Sequence, residues 1–184
     1  AETGLPDADA TAYYGKDAAD ARYFQAAAPT PADRTVYAID AKGRLKTLGN
    51  TDGGTTDATF APEMNFVTLG HSDAATPPVY TLYKTGGADI RRVRTVEDNE
   101  AYKAATGRLG VVKEFFTIPA SGASPALKAY IVKPENFNAA KKYPVIMSQY
   151  SGPGSQSVLN RWSLDWEQYF AAHGFIVVCV DGRG

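Results

Sequence analysis

Serine, histidine and aspartate, the residue types of a nucleophilic relay, stand side by side in Gly70-His71-Ser72-Asp73-Ala74. The segment begins like a Gly-x-Ser-x-Gly nucleophile elbow, but its fifth residue is alanine. The elbow also needs a strand that turns into a helix, whereas the sequence around Ser72 predicts strands on both sides. Adjacent residues of an extended segment point to opposite faces and cannot form a relay. We therefore do not expect catalysis at Ser72.

Tyr150 is a better chemical candidate, because it stands where an apolar run, residues 143–149, meets a turn rich in glycine, proline and serine. A phenol is protonated at neutral pH and can donate a hydrogen bond to a developing oxyanion. For an isolated tyrosine at a strand end, packing would be the favoured role, so the catalytic assignment depends on the surrounding motif. Gly152 and Pro153 either aim Tyr150 or form an ordinary turn.

Three further groups of residues have weaker claims to a function. Asp181 and Arg183 either order the loop that leads towards a nucleophile further along the chain or form a solvated charged turn. Trp162 and Trp166 are expected to be core or domain-interface aromatics rather than substrate contacts. The single cysteine, Cys179, lies in an apolar run and is expected to be an inert buried thiol.

Metal, cofactor and nucleic-acid functions find no support in the sequence. The only two histidines, His71 and His173, are about a hundred residues apart, and no cluster of cysteines or carboxylates has ligand spacing. The segment 151–155 lacks the lysine of a phosphate-binding loop. The net charge is −1 with both signs interspersed, which gives no reason to expect nucleic acid as a partner. We expect neither a metal nor a cofactor.

The last forty residues predict a strand-helix-strand unit. The apolar run at 143–149 is one strand, and the unalternating run at 175–180 is typical of a central parallel strand. Between them the pattern predicts a helix with Ser163 as N-cap, ended by Gly174. The strand at 175–180 is expected to have an open apolar edge on its far side, so that the 184-residue polypeptide would self-associate, swap strands or be partly disordered.

The first hundred residues predict an all-β region of short strands separated by turns. We expect strands near residues 12–14, 21–26, 35–40, 44–48, 57–60, 65–71, 79–83 and 90–96. A weak internal repeat recurs after about 43 residues, for example from Arg22 to Asn65, as in the four-stranded blades of a β-propeller. A short helix over 97–106 and a hairpin formed by 111–119 and 126–134 then complete the expected elements.

Two motifs carry a family resemblance. Residues 150–156 (Tyr-Ser-Gly-Pro-Gly-Ser-Gln) after a strand entered through Tyr-Pro, and residues 181–184 (Asp-Gly-Arg-Gly) after the next strand, resemble the dipeptidyl peptidase IV branch of the prolyl oligopeptidase family of serine peptidases. Segments 76–78, 82–83 and 96–99 are similar to the last propeller blade of the same enzymes.

The resemblance implies a β plus α/β fold class, in which the last blades of a β-propeller are followed by the N-terminal part of an α/β-hydrolase domain. The implied domains are about two blades at 1–98, a helical linker at 99–110 and a truncated peptidase domain at 111–184. The resemblance further implies an exopeptidase that releases dipeptides from free amino termini, with proline or alanine at the second position. It assigns Tyr150 as an oxyanion donor and locates the Ser, Asp and His of the triad after Gly184.

On this interpretation the chain alone is inactive, and the parent enzyme acts on peptides, is periplasmic or secreted, and has a homodimer as one candidate assembly. Two alternatives stay open. The chain could be a non-enzymatic β-rich binding module, or it could be part of another peptidase of the wider family, such as an acylaminoacyl peptidase or prolyl oligopeptidase. A Gly-x-Ser-x-Gly elbow followed by Asp and His further along the chain would favour the enzyme.

Overall fold

The chain forms two compact units. The computed structural model describes residues 4–5, 7–107, 112–119 and 126–182. The first unit comprises Ala1–Glu100 together with Asn160–Trp162, and the second comprises Ala101–Leu159 and Ser163–Gly184.

The first unit contains two four-stranded sheets, each with its strands adjacent in chain order and antiparallel. One sheet is formed by β1 (Ala10–Lys16), β2 (Arg22–Ala26), β3 (Thr35–Ile39) and β4 (Leu45–Leu48). The other is formed by β5 (Thr55–Phe60), β6 (Phe66–Ser72), β7 (Val79–Gly86) and β8 (Asp89–Glu97). All eight predicted strands are present, and two successive four-stranded meanders are consistent with propeller blades.

The two sheets of the first unit share one apolar core. Its largest side chains come from both sheets, with Tyr23, Val36 and Leu48 from the first and Val67 and Leu69 from the second. β2 and β3 are buried along almost their whole length, so they form the centre of this core.

Asn160 is bonded on every side within the first unit. Its backbone N–H donates to the Ala32 carbonyl at 2.8 Å, and its carbonyl accepts from the Thr55 hydroxyl at 3.0 Å. Its side-chain amide donates to Asp33 Oδ1 at 2.9 Å, and its side-chain oxygen accepts from the Ala74 N–H at 3.0 Å. These four bonds explain why three residues from late in the chain belong to this unit.

The second unit is one mixed sheet with helices. A short helix, α1 (Glu100–Thr106), begins at the division between the units. It is followed by β9 (Lys113–Ile118), β10 (Leu127–Val132), β11 (Val145–Ser148), α2 (Trp166–Ala172) and β12 (Ile176–Val180), and the strand order in the sheet is β11-β12-β10-β9. The expected hairpin pairs antiparallel and β11 pairs parallel to β12, so both predictions are confirmed.

Among the described residues, no helix is long and apolar enough to cross a lipid bilayer.

The expectation of an open edge on strand 175–180 is wrong. β12 is paired on both sides, in parallel with β11 and antiparallel with β10. The second strand of the hairpin, β10, pairs with the edge that was expected to be open. β10 is suited to this central position because it is itself apolar and buries Ala129, Tyr130 and Val132. Within the described part of the chain, the edges of this sheet are therefore β9 and β11.

Both helices begin later than the sequence predicts. Ser163 does not cap α2; the N-cap is Asp165, whose side chain and that of Gln168 form a reciprocal capping box. Gly174, with φ of 85°, follows the helix as predicted. In α1, Glu97 still belongs to β8, and Asn99 turns the chain with φ of 56° before the helix starts at Glu100.

A buried polar network joins β9, β10, β12 and α2 beneath the sheet. Lys113 Nζ lies 3.2 Å from Glu167 Oε2 and 4.4 Å from the centre of the Tyr130 ring. The Tyr130 hydroxyl donates to Glu167 Oε1. Burial, then the Glu167 carboxylate, raises the pKa of Tyr130, and burial raises the pKa of the Cys179 thiol. Cys179 is buried, as expected for an inert thiol.

We expect Glu167→Gln to lower the free energy of unfolding by about 3–5 kcal/mol, because it leaves the Lys113 ammonium buried without its counter-charge. The amide oxygen can still accept from Tyr130, so the loss reports the ion pair. Urea denaturation followed by circular dichroism measures it. The double variant Lys113→Met/Glu167→Gln removes both charges and should recover most of the stability; equal losses in the two variants would contradict this account.

We expect the 184-residue polypeptide to self-associate through β11 rather than β12. β11 is an uncharged edge strand on which Val145 is 59% and Met147 63% exposed. Met147→Lys should therefore shift the polypeptide towards monomer in light scattering, whereas Val93→Lys on β8, an edge strand that already carries arginines, should not. A monodisperse wild-type monomer would contradict the expectation.

Candidate functional site

Tyr150 lies at the carboxyl end of the only parallel strand pair among the described residues. Ser148, the last residue of β11, is the register partner of Cys179 in β12. Tyr150 and Asp181 each follow two residues further along, so the two loops leave the sheet at the same edge. The crevice outside the carboxyl ends of parallel strands is where α/β proteins place their reactive groups.

The Tyr150 side chain is exposed and lies over a glycine. Its surface is 67% accessible. A Cβ atom at Gly152 would lie 2.9 Å from the Tyr150 hydroxyl oxygen and 3.0 Å from Cε1 and Cζ. The ring therefore rests against the Gly152 backbone, and any larger residue at this position would displace it.

Residues 152–155 form a tight turn directly after Tyr150. The Ser155 N–H and its hydroxyl both donate to the Gly152 carbonyl, at 3.1 and 2.8 Å. Pro153 occupies the second position and Gly154, with φ of 70°, the third, which is the residue choice of a type II turn. The two interpretations of Gly152 and Pro153 therefore both hold in part: the segment is a regular turn, and its first residue supports the Tyr150 ring.

Asp181 is half-buried and bonded, not a solvated charge. Its Oδ1 accepts from the Ser157 N–H at 2.8 Å and its Oδ2 from the Val158 N–H at 3.0 Å. It therefore orders the loop that carries Tyr150. The loop that follows Gly182 lies outside the described residues, so the expected role of Asp181 in ordering it stays a prediction. Arg183 lies outside the described residues.

The Gly70–Ala74 segment has no relay geometry. His71 Nε2 lies 2.7 Å from the Asn50 amide nitrogen, which donates, so the ring proton is on Nδ1 and faces the Thr56 hydroxyl at 2.9 Å. Both ring nitrogens are thus engaged by residues other than Ser72. Burial lowers the pKa of His71, against a smaller opposing effect of Asp73, and favours the neutral ring. The Ser72 hydroxyl accepts from the Trp162 N–H at 3.4 Å.

Trp166 does not lie in the core, since 42% of its surface is exposed and its ring meets Phe170 edge to face. Trp162 is half-buried in the first unit. No cluster of three or more potential metal ligands occurs within residues 4–5, 7–107, 112–119 and 126–182.

Sequence reasoning missed how the site is held together. The bonds from Asp181 to residues 157–158 could not be predicted from the sequence, because one aspartate in a polar loop has many ordinary explanations. The only available clue for Asp181 was its position directly after a buried strand, at the edge where α/β sheets place functional groups.

Comparisons with known proteins identify the family. No protein-family model matches the chain. Probable dipeptidyl-aminopeptidase B of Penicillium rubens is 32% identical over 166 residues, which cover 88% of this chain and 18% of the relative. The corresponding protein of Podospora anserina is 33% identical over 165 residues, which again cover 88% of this chain and 18% of the relative. The crystal structure of dipeptidyl peptidase 4 of Porphyromonas gingivalis matches with a TM-score of 0.85 and 43% identity, over 97% of this chain and 25% of that one.

The chain thus spans about 18% of the length of the curated relatives it matches. The strand order of the sheet, the two meanders and these similarities agree on one class: part of a protein similar to the dipeptidyl peptidases, with a β-rich region ahead of an α/β sheet in the chain. The chain belongs to the dipeptidyl peptidase IV branch of the prolyl oligopeptidase family. It matches only a part of the length of those family members.

We expect Gly152→Ala to change the position of Tyr150 and Gly154→Ala to change stability, when each is made in an enzyme with the complete hydrolase domain. Alanine at 152 pushes the exposed Tyr150 ring aside, which should change stability by less than about 0.5 kcal/mol but lower kcat. Alanine at 154 meets nothing within 4 Å but is strained at positive φ, so it should cost about 1 kcal/mol or more in stability. Thermal unfolding and steady-state kinetics measure the two effects. A Gly152→Ala enzyme with wild-type kcat would mean that the ring position is unimportant.

Proposed function

We propose that this chain is part of a serine exopeptidase that releases dipeptides from the free amino termini of peptides, with proline or alanine at the second position. The observation that carries the proposal is the exposed Tyr150 hydroxyl at the carboxyl end of the parallel strand pair, in a chain 43% identical to a dipeptidyl peptidase. The relatives' names support dipeptide release, and the preference for proline or alanine comes from the family resemblance.

In the proposed mechanism Tyr150 donates its hydroxyl to the oxyanion of the tetrahedral intermediate. Attack by a serine converts the substrate carbonyl oxygen from a neutral hydrogen-bond acceptor into an anion, to which hydrogen bonds are stronger. A neutral phenol held near that oxygen therefore binds the transition state more tightly than the substrate, which raises kcat. An exposed ring is consistent with a group that must contact substrate.

The nucleophile is proposed to lie beyond Gly184 with its aspartate and histidine, so the 184-residue chain should be inactive alone. The proposal includes the domain assignment of propeller blades at 1–98, a linker at 99–110 and the start of the peptidase domain at 111–184. It also includes a periplasmic or secreted parent enzyme, for which a homodimer is one candidate assembly.

The test is hydrolysis of a Gly-Pro chromogenic amide by the 184-residue chain and by an enzyme that carries the complete hydrolase domain. We expect activity only in the complete enzyme. Tyr150→Phe should lower its kcat by about 10²- to 10³-fold, the loss of one oxyanion donor, with a smaller effect on KM.

Tyr169→Phe is the matched control, because Tyr169 is a similarly exposed tyrosine of the same unit, on α2. It should leave kcat unchanged. Activity in the 184-residue chain would point to Ser72 and overturn the proposal. Cleavage of N-acylated peptides in preference to free amino termini would assign the chain to the acylaminoacyl peptidases instead.

A further inference from the structure

The loop that carries Tyr150 is long and largely irregular, so something must hold it against the sheet. It runs from the end of β11 to Asp165, the N-cap of α2. Its own turn at 152–155 fixes the residues next to Tyr150 relative to one another, but a local turn does not fix them relative to the strands. An oxyanion donor has to be held in place before the reaction, because a misplaced donor loses most of its effect.

The Asp181 carboxylate accepts two hydrogen bonds from the part of this loop that follows the turn at 152–155. Each of its oxygens takes one of two consecutive N–H groups, those of Ser157 and Val158, at 2.8 and 3.0 Å. Hydrogen bonds to an ionised acceptor are among the strong ones in proteins. Val158 is itself fully buried in the core of the second unit, so the loop is fixed there by both backbone and side chain.

Asp181 is in turn fixed to the sheet. Its N–H donates to the Lys128 carbonyl at 3.0 Å, which continues the β10–β12 pairing past the last residue of β12. The carboxylate therefore projects from a rigid strand end. This is the supporting arrangement that precise positioning of a loop requires.

The next residue, Gly182, contacts the near side of the same loop. A Cβ atom at Gly182 would clash with the Ser151 hydroxyl and lie 3.0 Å from Ser151 Cβ. Ser151 directly follows Tyr150, and its hydroxyl also accepts from Gln149 Nε2 at 3.0 Å. The corner Asp181–Gly182 thus meets the Tyr150 loop on both sides of its turn.

We infer that Asp181 is a positioning residue for the Tyr150 hydroxyl, and that Gly182 supports it through Ser151. This inference rests on the proposed role of Tyr150. Asp181 touches no substrate in this scheme; it holds the loop from which the hydroxyl is presented. Asp181 therefore cannot raise kcat by more than the Tyr150 hydroxyl does. The effect of Asp181 on kcat should disappear when that hydroxyl is removed.

The test is a double-mutant cycle in the enzyme with the complete hydrolase domain, using Asp181→Asn, Tyr150→Phe and their combination, with a Gly-Pro chromogenic amide as substrate. Asparagine keeps one acceptor oxygen and presents an NH₂ group to the other backbone N–H. We expect Asp181→Asn to lower kcat by about 10- to 100-fold with KM little changed. In the Tyr150→Phe background it should lower kcat by no more than about twofold, because coupled residues are non-additive.

Asp73→Asn is the matched control. The Asp73 carboxylate also accepts from two backbone N–H groups, those of Ala75 and Thr76 at 2.7 Å, but both bonds end on Oδ1 and the residue belongs to the first unit. It should leave kcat unchanged. If Asp181→Asn does not fold, Gly182→Ala takes its place in the cycle, since it leaves the carboxylate intact and presses on Ser151 instead.

Additive losses in the cycle, or a wild-type kcat for Asp181→Asn, would overturn the inference while a low kcat for Tyr150→Phe upholds the proposed function. A wild-type kcat for Tyr150→Phe would overturn both.

Discussion

The parallel pairing of β11 with β12 is the constraint on which the site depends. Parallel strands end at the same edge of a sheet, so the loop after Ser148 and the loop after Val180 must meet there. The register pairs Ser148 with Cys179, so Tyr150 and Asp181 each stand two residues beyond the last paired position, and a slip of one residue would offset them along the sheet edge. β10 holds β12 from its other side, and the bond from Asp181 to Lys128 extends that support to the corner itself.

The buried network beneath the sheet fixes the other end of the Tyr150 loop. Glu167 is in the first turn of α2, and its contacts with Lys113 and Tyr130 tie that turn to β9 and β10. The capping box at Asp165 then sets the residue at which the helix begins. A buried ion pair is a poor source of stability but can select one docking of a helix over its neighbours, and here that docking sets where the loop must end.

Local patterns predict the elements and the pairings within the hairpin and the strand-helix-strand unit, but not the pairing between these two motifs. The eight strands of the first unit follow from short strand-forming segments and the turn residues between them, and each segment carries these signals in its own sequence. The prediction for the second neighbour of β12 was wrong because the sequence of an apolar strand does not reveal which other strand pairs with each of its edges. The start of α2 was wrong because Ser163 and Asp165 are both good caps, and only the reciprocal bond with Gln168 separates them. The motif around Tyr150 is local and can be recognised in the sequence, and its catalytic role stays a prediction. The hydrogen bonds of Asp181 could not be predicted, because they join backbone groups more than twenty residues away.

Glycine has three different physical reasons to be at this corner, and together they explain how an exposed tyrosine can be preorganised. Gly152 is required because a ring lies on its backbone, Gly154 because the turn needs a positive φ, and Gly182 because Ser151 lies against it. A buried tyrosine would be rigid through packing, but it could not reach a substrate. In this corner the backbone is held by hydrogen bonds and close contacts while the side chain stays open to solvent. In such a site, the single methyl group of a glycine-to-alanine substitution can displace the tyrosine ring while the fold stays intact.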